Sequence, residues 1–471
     1  MKAVRQKLQA DATKLRRQFA CANTHSNTQD MNERLSAIFK GDKVIWMVFF
    51  FLCIVSVIEV FSASSELTYR GGDYLSPVSK HIGLLFMGLF LMVVTLNIKC
   101  KYFKIATPIL ILVSVLTLIL VFCLGETTNG SQRWIPIFGF QFQPSEIAKG
   151  TLVLATAQIL SAMQTDRGAD RLAFWYILIV WACIVPLIMP ENLSTAVLLS
   201  FVIFLMMIIG RVPLRYLLRV VAGVILLAGL LLSSIMLFGH EEEADAKSQN
   251  MTEVVTANGK VVAKEGVAAN GNGRDGILHR FDTWKKRIHK FSDNKDVPPE
   301  DVDLDKDAQT SFANIAIASC NIVGKGPGNS VERDFLPQAF SDYIYAIIIE
   351  EMGLFGAIFV AMLYIILLFR TGIIAHRCEN NFPAFLAMGL ALLIVVQALF
   401  NMCVAVGLAP VTGQPLPLIS KGGTSSIINC VYIGAILSIS RTAKKNPKAQ
   451  EGNIKLMASP QTDNEDASQP K

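Results

Sequence analysis

Apolar residues in this chain gather into long runs bounded by charged residues or by Gly and Pro. The runs lie near 44 to 62, 82 to 98, 106 to 124, 146 to 162, 173 to 189, 196 to 210, 216 to 238, 343 to 369, 384 to 407 and 428 to 440. A helix that crosses a bilayer needs about 20 apolar residues, so the pattern predicts about ten transmembrane helices. The expected fold class is an all-α polytopic integral membrane protein. The fifth and sixth runs meet at Pro190 with almost no connecting loop, and one stretch between runs, 239 to 342, is both long and polar.

Composition points the same way. Of 471 residues, 52% are hydrophobic and 17% charged, against about 25% charged in an ordinary soluble chain, which argues against a cytosolic multidomain enzyme. The formal net charge is +6, but Lys and Arg fall mainly in the tails and short loops, a topology signal and not a nucleic-acid footprint. One set of alternate loops holds Lys99, Lys101, Lys104, Arg167, Arg171, Arg211, Arg215, Arg219, Arg370 and Arg377; the other short loops hold Arg70, Lys80, Arg133 and Lys421. Basic residues mark the inner side. Both termini are therefore expected in the cytoplasm, with residues 63 to 81, 125 to 145, 239 to 342 and 408 to 427 outside.

That frame divides the chain into a cytoplasmic N-terminal tail (1–43), a transmembrane core (44–440) with one large extracytoplasmic loop (239–342), and a cytoplasmic C-terminal tail (441–471). Within the loop, residues 241–278 are rich in Glu, Asp, Asn, Gly and Lys and read as a flexible insertion. None of the nine Cys residues forms a CxxC pair, and Cys53, Cys123, Cys183, Cys403 and Cys430 lie within apolar runs, which argues against a disulfide framework or zinc site. The polar N-terminal stretch lacks the apolar core of a cleavable signal peptide. No internal repeat of the kind seen in inverted-repeat transporters is evident.

Ionisable residues inside the runs are few: Glu59, Glu146 with Lys149, and Glu350 with Glu351, all toward the outward ends. Channels and carriers place such groups at mid-membrane, so polar function is expected on the outer face. There, Asn129, Gly130, Ser131, Gln132, Arg133, Trp134 and Ile135 precede Gln143, Pro144, Ser145, Glu146 and Lys149. Pro at the first helical position and Glu in the first turn start a helix, and Lys149 is within reach of Glu146. The group is either a structural ion pair or, with Arg133, a site for an anionic head group, because Arg offers a planar fork to phosphate.

A second stretch runs from Gly324, Lys325, Gly326, Pro327 and Gly328 through Asp334 and Leu336 to Asp342. Its glycine spacing is not that of a phosphate loop and reads as a tight turn. Asp342 stands where a polar loop runs into an apolar helix; it either caps that helix or, ionised near neutral pH, accepts a proton. Glu350 lies about 12 Å further along an unbroken helix, too far to be a close partner, and is either a buried structural group or functional. The third stretch, 407 to 425, holds three prolines and four glycines. Such backbone survives at membrane depth only against protein or beside a wet cavity; a cavity wall is expected, with Ser420 a candidate substrate contact.

With Phe61, Ser62, Ala63 and Ser64 after the first run, and Arg280, Trp284 and Arg287 before the eighth, these stretches resemble the SEDS family (shape, elongation, division and sporulation) over about residues 44 to 440. The patterns NGxxRW, QPSExxK, LPxxxxD and PVTGxPLPxxSxGG are all present. The wording PVTGQPLPLIS and FLPQAFSDYIYA is closer to the division branch than to the elongation branch. The resemblance implies an enzyme of the bacterial inner membrane, acting at the division septum with its site outside. It would polymerise lipid II into β-1,4-linked glycan by an inverting transfer from undecaprenyl diphosphate to the 4-hydroxyl of an acceptor GlcNAc. Such a displacement needs one base and cationic support for the diphosphate, and no leaving-group acid of the glycosidase kind.

By the same resemblance Asp342 is the general base. Asp334 matches a second acidic position, usually Glu, and would orient the acceptor or help bind a divalent cation. Arg133, Lys149, Arg280 and Lys325 are the candidate diphosphate contacts, with Glu146 beside Lys149. A divalent cation (magnesium or manganese) of unassigned ligands is implied, and no organic cofactor. The implied partners are lipid II and lipid-linked glycan, a class B penicillin-binding protein transpeptidase and other division membrane proteins, with no nucleic acid. The chain departs from the family where Glu191, Asn192, Leu193, Ser194 and Thr195 replace Pro-Asp-Leu-Gly-Thr, where Gln338 and Phe340 replace Glu and His, and where Lys421 replaces Tyr. Two other readings share the substrate: a lipid II flippase, which wants a polar track to an inner side that is here apolar, and a scaffold for the transpeptidase with no chemistry of its own.

Overall fold

Helices occupy every one of the predicted apolar runs in the computed structural model, which describes residues 40–63, 76–124, 126–128, 131–137, 140–166, 168–238, 308–334 and 341–443. They are α1 (Lys43–Ala63), α2 (Ser76–Asn97), α3 (Cys100–Leu124), α4 (Pro144–Ala162), α5 (Arg171–Ile188), α6 (Leu193–Ile209), α7 (Leu214–Phe238), α9 (Ile344–Arg377), α10 (Asn381–Ala405) and α11 (Thr424–Thr442). Among the described residues α1, α2, α3, α5, α9 and α10 are long and apolar enough to cross a membrane. The protein is a polytopic membrane protein. Residues 1–39 and 444–471 of the tails, the 241–278 insertion and Arg280 lie outside the described residues.

Local sequence explains the helix ends. Asp42 Oδ1 accepts the backbone N–H groups of Val44 and Ile45 at 2.9 and 3.4 Å, capping α1. Its other oxygen takes Arg370 Nε of α9 at 2.8 Å, and its backbone N–H donates to Ser440 Oγ of α11 at 3.0 Å. One residue thus joins three helices, its carboxylate linking α1 to α9 and its backbone N–H reaching α11. At the opposite end of the bundle Asn192 caps α6, its Oδ1 accepting from Thr195 N at 3.2 Å. A polar residue suffices for that cap, so the Asp of the family pattern is not needed there.

α10 is the axis of the bundle, packing on α4, α6, α9 and α11. α2 and α11 approach closely: a Cβ on Gly434 would stand 2.6 Å from the carbonyl oxygen of Met92. Small residues let membrane helices approach this way, since lipid offers no hydrophobic drive between them. α3, by contrast, presents most of its surface outward.

One expectation is corrected. The chain is not all-α: the segment between α3 and α4 forms β1 (Glu126–Thr128), β2 (Ser131–Ile137) and β3 (Phe140–Phe142), an antiparallel sheet of order β1-β2-β3. A second small ladder pairs β4 (Gln164–Thr165) with β5 (Gly168–Ala169). The Asn-Gly at 129 and 130 is a strong hairpin signal that a search for apolar runs passes over. The long polar stretch also contains a helix, α8 (Ala308–Ala318), whose Ala313 packs on Tyr343, Ala346 and Ile347 at the start of α9.

Candidate active site

α9 begins beside Asp342. Its N-cap residue is Tyr343, whose side chain makes no capping bond, and Asp342 is the residue before it. The Asp342 carboxylate is half-buried and accepts from Ser341 Oγ through Oδ1 at 3.0 Å. Its backbone carbonyl accepts from Asn401 Nδ2 of α10 at 2.9 Å. The Ser341 carbonyl in turn accepts from Ser420 Oγ at 2.6 Å. Two successive peptide groups at the head of α9 are therefore held by α10 and by the Pro-rich loop.

That loop is a packed plug and does not form the expected cavity wall along 414 to 420. Leu416, Leu418 and Ile419 are buried, and the carbonyl groups find protein donors. Gln397 Nε2 reaches Pro415 O at 3.1 Å, Asn401 Nδ2 reaches Gln414 O at 2.7 Å, Ser56 Oγ reaches Ile419 O at 2.7 Å, and the Tyr364 hydroxyl donates to Pro417 O. The Gln414 side chain extends to Thr195 Oγ1 at 2.6 Å. Irregular backbone at this depth needs such satisfaction.

Gln397 also carries the link to α4. Its Oε1 accepts from Lys149 Nζ at 2.9 Å, and the same ammonium lies 2.9 Å from Glu146 Oε1, with 1% and 3% of the two side chains exposed. Glu146 and Lys149 are thus a buried pair, the structural alternative left open by spacing. Gln397 and Asn401 are one turn apart, about 6 Å along the helix axis, so one face of α10 fixes both this pair and the Asp342 carbonyl. Ser420, Asp342, Glu146 and Lys149 belong to one network.

Lys325 belongs to another. Its Nζ lies 2.6 Å from Glu350 Oε1, and its backbone N–H and that of Gly326 donate to the carbonyls of Glu350 and Glu351 at 3.0 and 2.8 Å. Ser330 Oγ and Val331 N complete the shell of Glu350, while Gly328 N, Ser330 N and Ser62 Oγ donate to Glu351, with Arg333 Nη1 3.7 Å away. The charge of Lys325, proposed from the sequence for a diphosphate, is matched here by a carboxylate. The loop docks because α9 breaks at Gly353, which adopts φ 68° and ψ −169°. Gly324, at φ +80°, sits so close that a Cβ would lie 2.4 Å from Glu351 O and from Gly353 N. The three glycines at 324, 326 and 328 all have positive φ, the tight turn expected. The break falls after Glu350, so Asp342 and Glu350 stay apart on one helical segment.

The remaining predicted positions are placed by backbone alone. Arg133 is on β2 and Asp334 ends a short 3-10 turn, Glu332–Asp334; both side chains, like Arg280, lie outside the described residues. Burial, then Glu350, pushes the Glu332 carboxyl up. Lys421 is half-buried in the last loop, and burial, then the facing Lys80, lowers its ammonium pKa. Glu59 is buried with neither carboxylate oxygen bonded to a described partner. As for the implied divalent cation, no three His, Cys, Asp or Glu side chains gather to hold a metal among the described residues. Asp342 offers one carboxylate at the head of α9.

Sequence reading missed Gln397, Asn401 and Gln414, which hold the network together. The signal was present: two amides four residues apart in an otherwise apolar run, on one helix face.

A bundle of apolar helices closed at one end by a hydrogen-bonded plug defines a polytopic membrane protein with a candidate site at that end of the bundle. The family model described as cell cycle protein, covering FtsW, RodA and SpoVE, matches residues 42–255 and 275–445. The chain belongs to this family. It is 27% identical over 407 residues to a probable peptidoglycan glycosyltransferase FtsW of Coxiella burnetii, covering 84% of this chain and 95% of the relative. It is 30% identical over 400 residues to that of Marinobacter nauticus (82% and 86%), and 26% identical over 404 residues to peptidoglycan glycosyltransferase MrdB of Escherichia coli K12 (84% and 93%). Among solved structures, a chain from a study of how a peptidoglycan synthase complex coordinates polymerization and crosslinking superposes with TM-score 0.63 at 21% identity, over 86% of this chain and 99% of that one. The rod shape determining protein RodA of Thermus thermophilus gives 0.55 at 21% identity, over 86% and 98%. These structural likenesses concern the fold.

Proposed function

We propose that this protein is a peptidoglycan glycosyltransferase that polymerises lipid II, with Asp342 as its general base. Family membership and the activity named for its relatives support the reaction class. One observation carries the residue assignment: the Asp342 carboxylate is half-buried at the head of a membrane helix whose first peptide groups are locked by Asn401 and Ser420. A base must be held at a fixed point and still reach a substrate.

In the proposed step, Asp342 removes the proton of the acceptor 4-hydroxyl as that oxygen forms a bond to the donor anomeric carbon. The bond from that carbon to undecaprenyl diphosphate breaks, and the diphosphate leaves with the electron pair. One displacement inverts the α-linked donor to a β-1,4 product. Cationic support is assigned to Arg133 and Arg280. Lys149 and Lys325 act through the frame, since each is engaged by a carboxylate. Ten crossings, both termini inside and the Asp342 end outside follow from the loop charges. Action at the septum with a class B penicillin-binding protein is the matching cellular setting.

The test is polymerisation of lipid II by the protein purified with that transpeptidase in the presence of a divalent cation. Wild type is expected to form glycan chains, and Asp342→Asn to lose about 10²- to 10⁴-fold in rate while the complex still assembles. Full polymerisation by Asp342→Asn removes the base assignment. Translocation of lipid II without polymer replaces the enzyme with a flippase.

A further inference from the structure

At the end of the bundle opposite Asp342, a cavity of about 810 Å³ opens between the C-terminal ends of α2, α4 and α11 and the N-terminal ends of α3 and α10. Lys99, Lys101, Lys104 and Arg441 line it, against Glu379 as the one carboxylate among its lining residues. Nothing in the proposed transfer uses these groups, which lie at the Asn381 end of α10, about 30 Å along the helix axis from Asn401, the residue that holds Asp342. Cations at a surface normally spread apart to lower their mutual repulsion; four around one concavity create a field that favours an anion. The first turns of α3, at Cys100, and α10, at Asn381, also face the cavity, and the positive ends of their helix dipoles add to the potential.

The neighbouring surface says what kind of anion fits. From the rim, α3 presents Tyr102, Ile105, Ile109, Leu112 and Leu116 outward, each more than half exposed. Their spacing of three and four residues lays them in one stripe along the helix. A free phosphate would have no use for that stripe, whereas a phospholipid would set its acyl chains along it and its phosphate among the lysines. Basic pockets between membrane helices are general sites for acidic lipid head groups. We propose that this cavity binds the phosphate of an anionic phospholipid whose chains lie along α3.

The test uses the full-length protein in detergent micelles, with bound lipid counted by native mass spectrometry after adding phosphatidylglycerol, phosphatidylcholine of the same chains, or sodium diphosphate. Wild type is expected to retain phosphatidylglycerol in preference to phosphatidylcholine and to gain several degrees in Tm from it. Lys99→Gln with Lys104→Gln should weaken that retention about tenfold or more. Both lysines are exposed, so the unliganded Tm should hold. Arg215→Gln with Arg219→Gln, exposed basic residues at the same end but outside the cavity, should leave retention unchanged. Equal retention of the two lipids by wild type, a measurement that needs no variant, overturns the proposal. So does an equal loss in the Arg215/Arg219 variant, which would mean diffuse attraction. Diphosphate raising Tm as much as the lipid does would assign the site to a soluble phosphate and overturn the lipid assignment.

Discussion

Asn401 Nδ2 is shared between two carbonyl oxygens, that of Asp342 at 2.9 Å and that of Gln414 at 2.7 Å. One amide on α10 therefore sets the distance between the head of α9 and the Pro-rich loop. Asn401→Ala leaves both carbonyls without this donor. Buried polar bonds between membrane helices are worth about 0.6 to 1.7 kcal/mol each, so a loss of about 1–3 kcal/mol is expected by thermal unfolding. If Asn401 positions the base, kcat should fall by more than the change in KM, and Asn401→Gln should restore neither bond distance nor rate. A variant that is less stable yet keeps wild-type kcat would show a frame role only.

Lys149 and Glu146 should behave as a unit. Removing one member of a buried pair strands the other, at a cost of about 3–5 kcal/mol. Lys149→Met alone should therefore unfold at much lower temperature than Glu146→Gln with Lys149→Met. Equal destabilisation by the single and double variants, read from Tm in detergent, would mean that the two charges do not depend on each other.

The same logic separates frame from substrate contact at Lys325. Because its ammonium is 2.6 Å from Glu350, Lys325→Met is expected to lower polymerisation by loosening the loop. Lys325→Met with Glu350→Gln should recover most of it, since Ser330 can still bond the amide. Failure of the double variant to recover activity, with Tm restored, would return Lys325 to direct contact with the diphosphate.

Gly324→Ala puts a Cβ 2.4 Å from Glu351 O at a residue with φ +80°. A strained backbone of this kind costs about 1–3 kcal/mol before the clash is counted. The expected result is a lower Tm and faster proteolysis between residues 321 and 331, with an Ala substitution at the open Gly328 milder than at Gly324. An unchanged digestion pattern would contradict the docking of this loop on α9.

Much of the helical frame could be read from the chain, because a membrane span must satisfy its backbone internally and so writes an apolar run. The place of Asp342, before an apolar helix, was legible for the same reason. What escaped was carried by few residues. The kink at Gly353 needs contact with Gly324, 29 positions away by number, and no local periodicity reports it. Lys325 and Glu350 look like separate features until the turn folds back. The sheet between α3 and α4 was hidden by its shortness, although Asn129 and Gly130 announced a hairpin. The role of Lys149 depended on Gln397, an amide whose partner lies on another helix.

The meeting of Gly324 with Gly353 has a mechanical corollary. The backbone of the turn is stitched to the carbonyls of Glu350 and Glu351, and those residues ride on the same short helical segment that starts next to Asp342. Below the break, the rest of α9 is a separate rod anchored at its far end by Arg370 to Asp42. A force applied to the turn is thus delivered to the segment bearing Asp342 before it reaches the rod, as a push on a handle moves a latch ahead of the door.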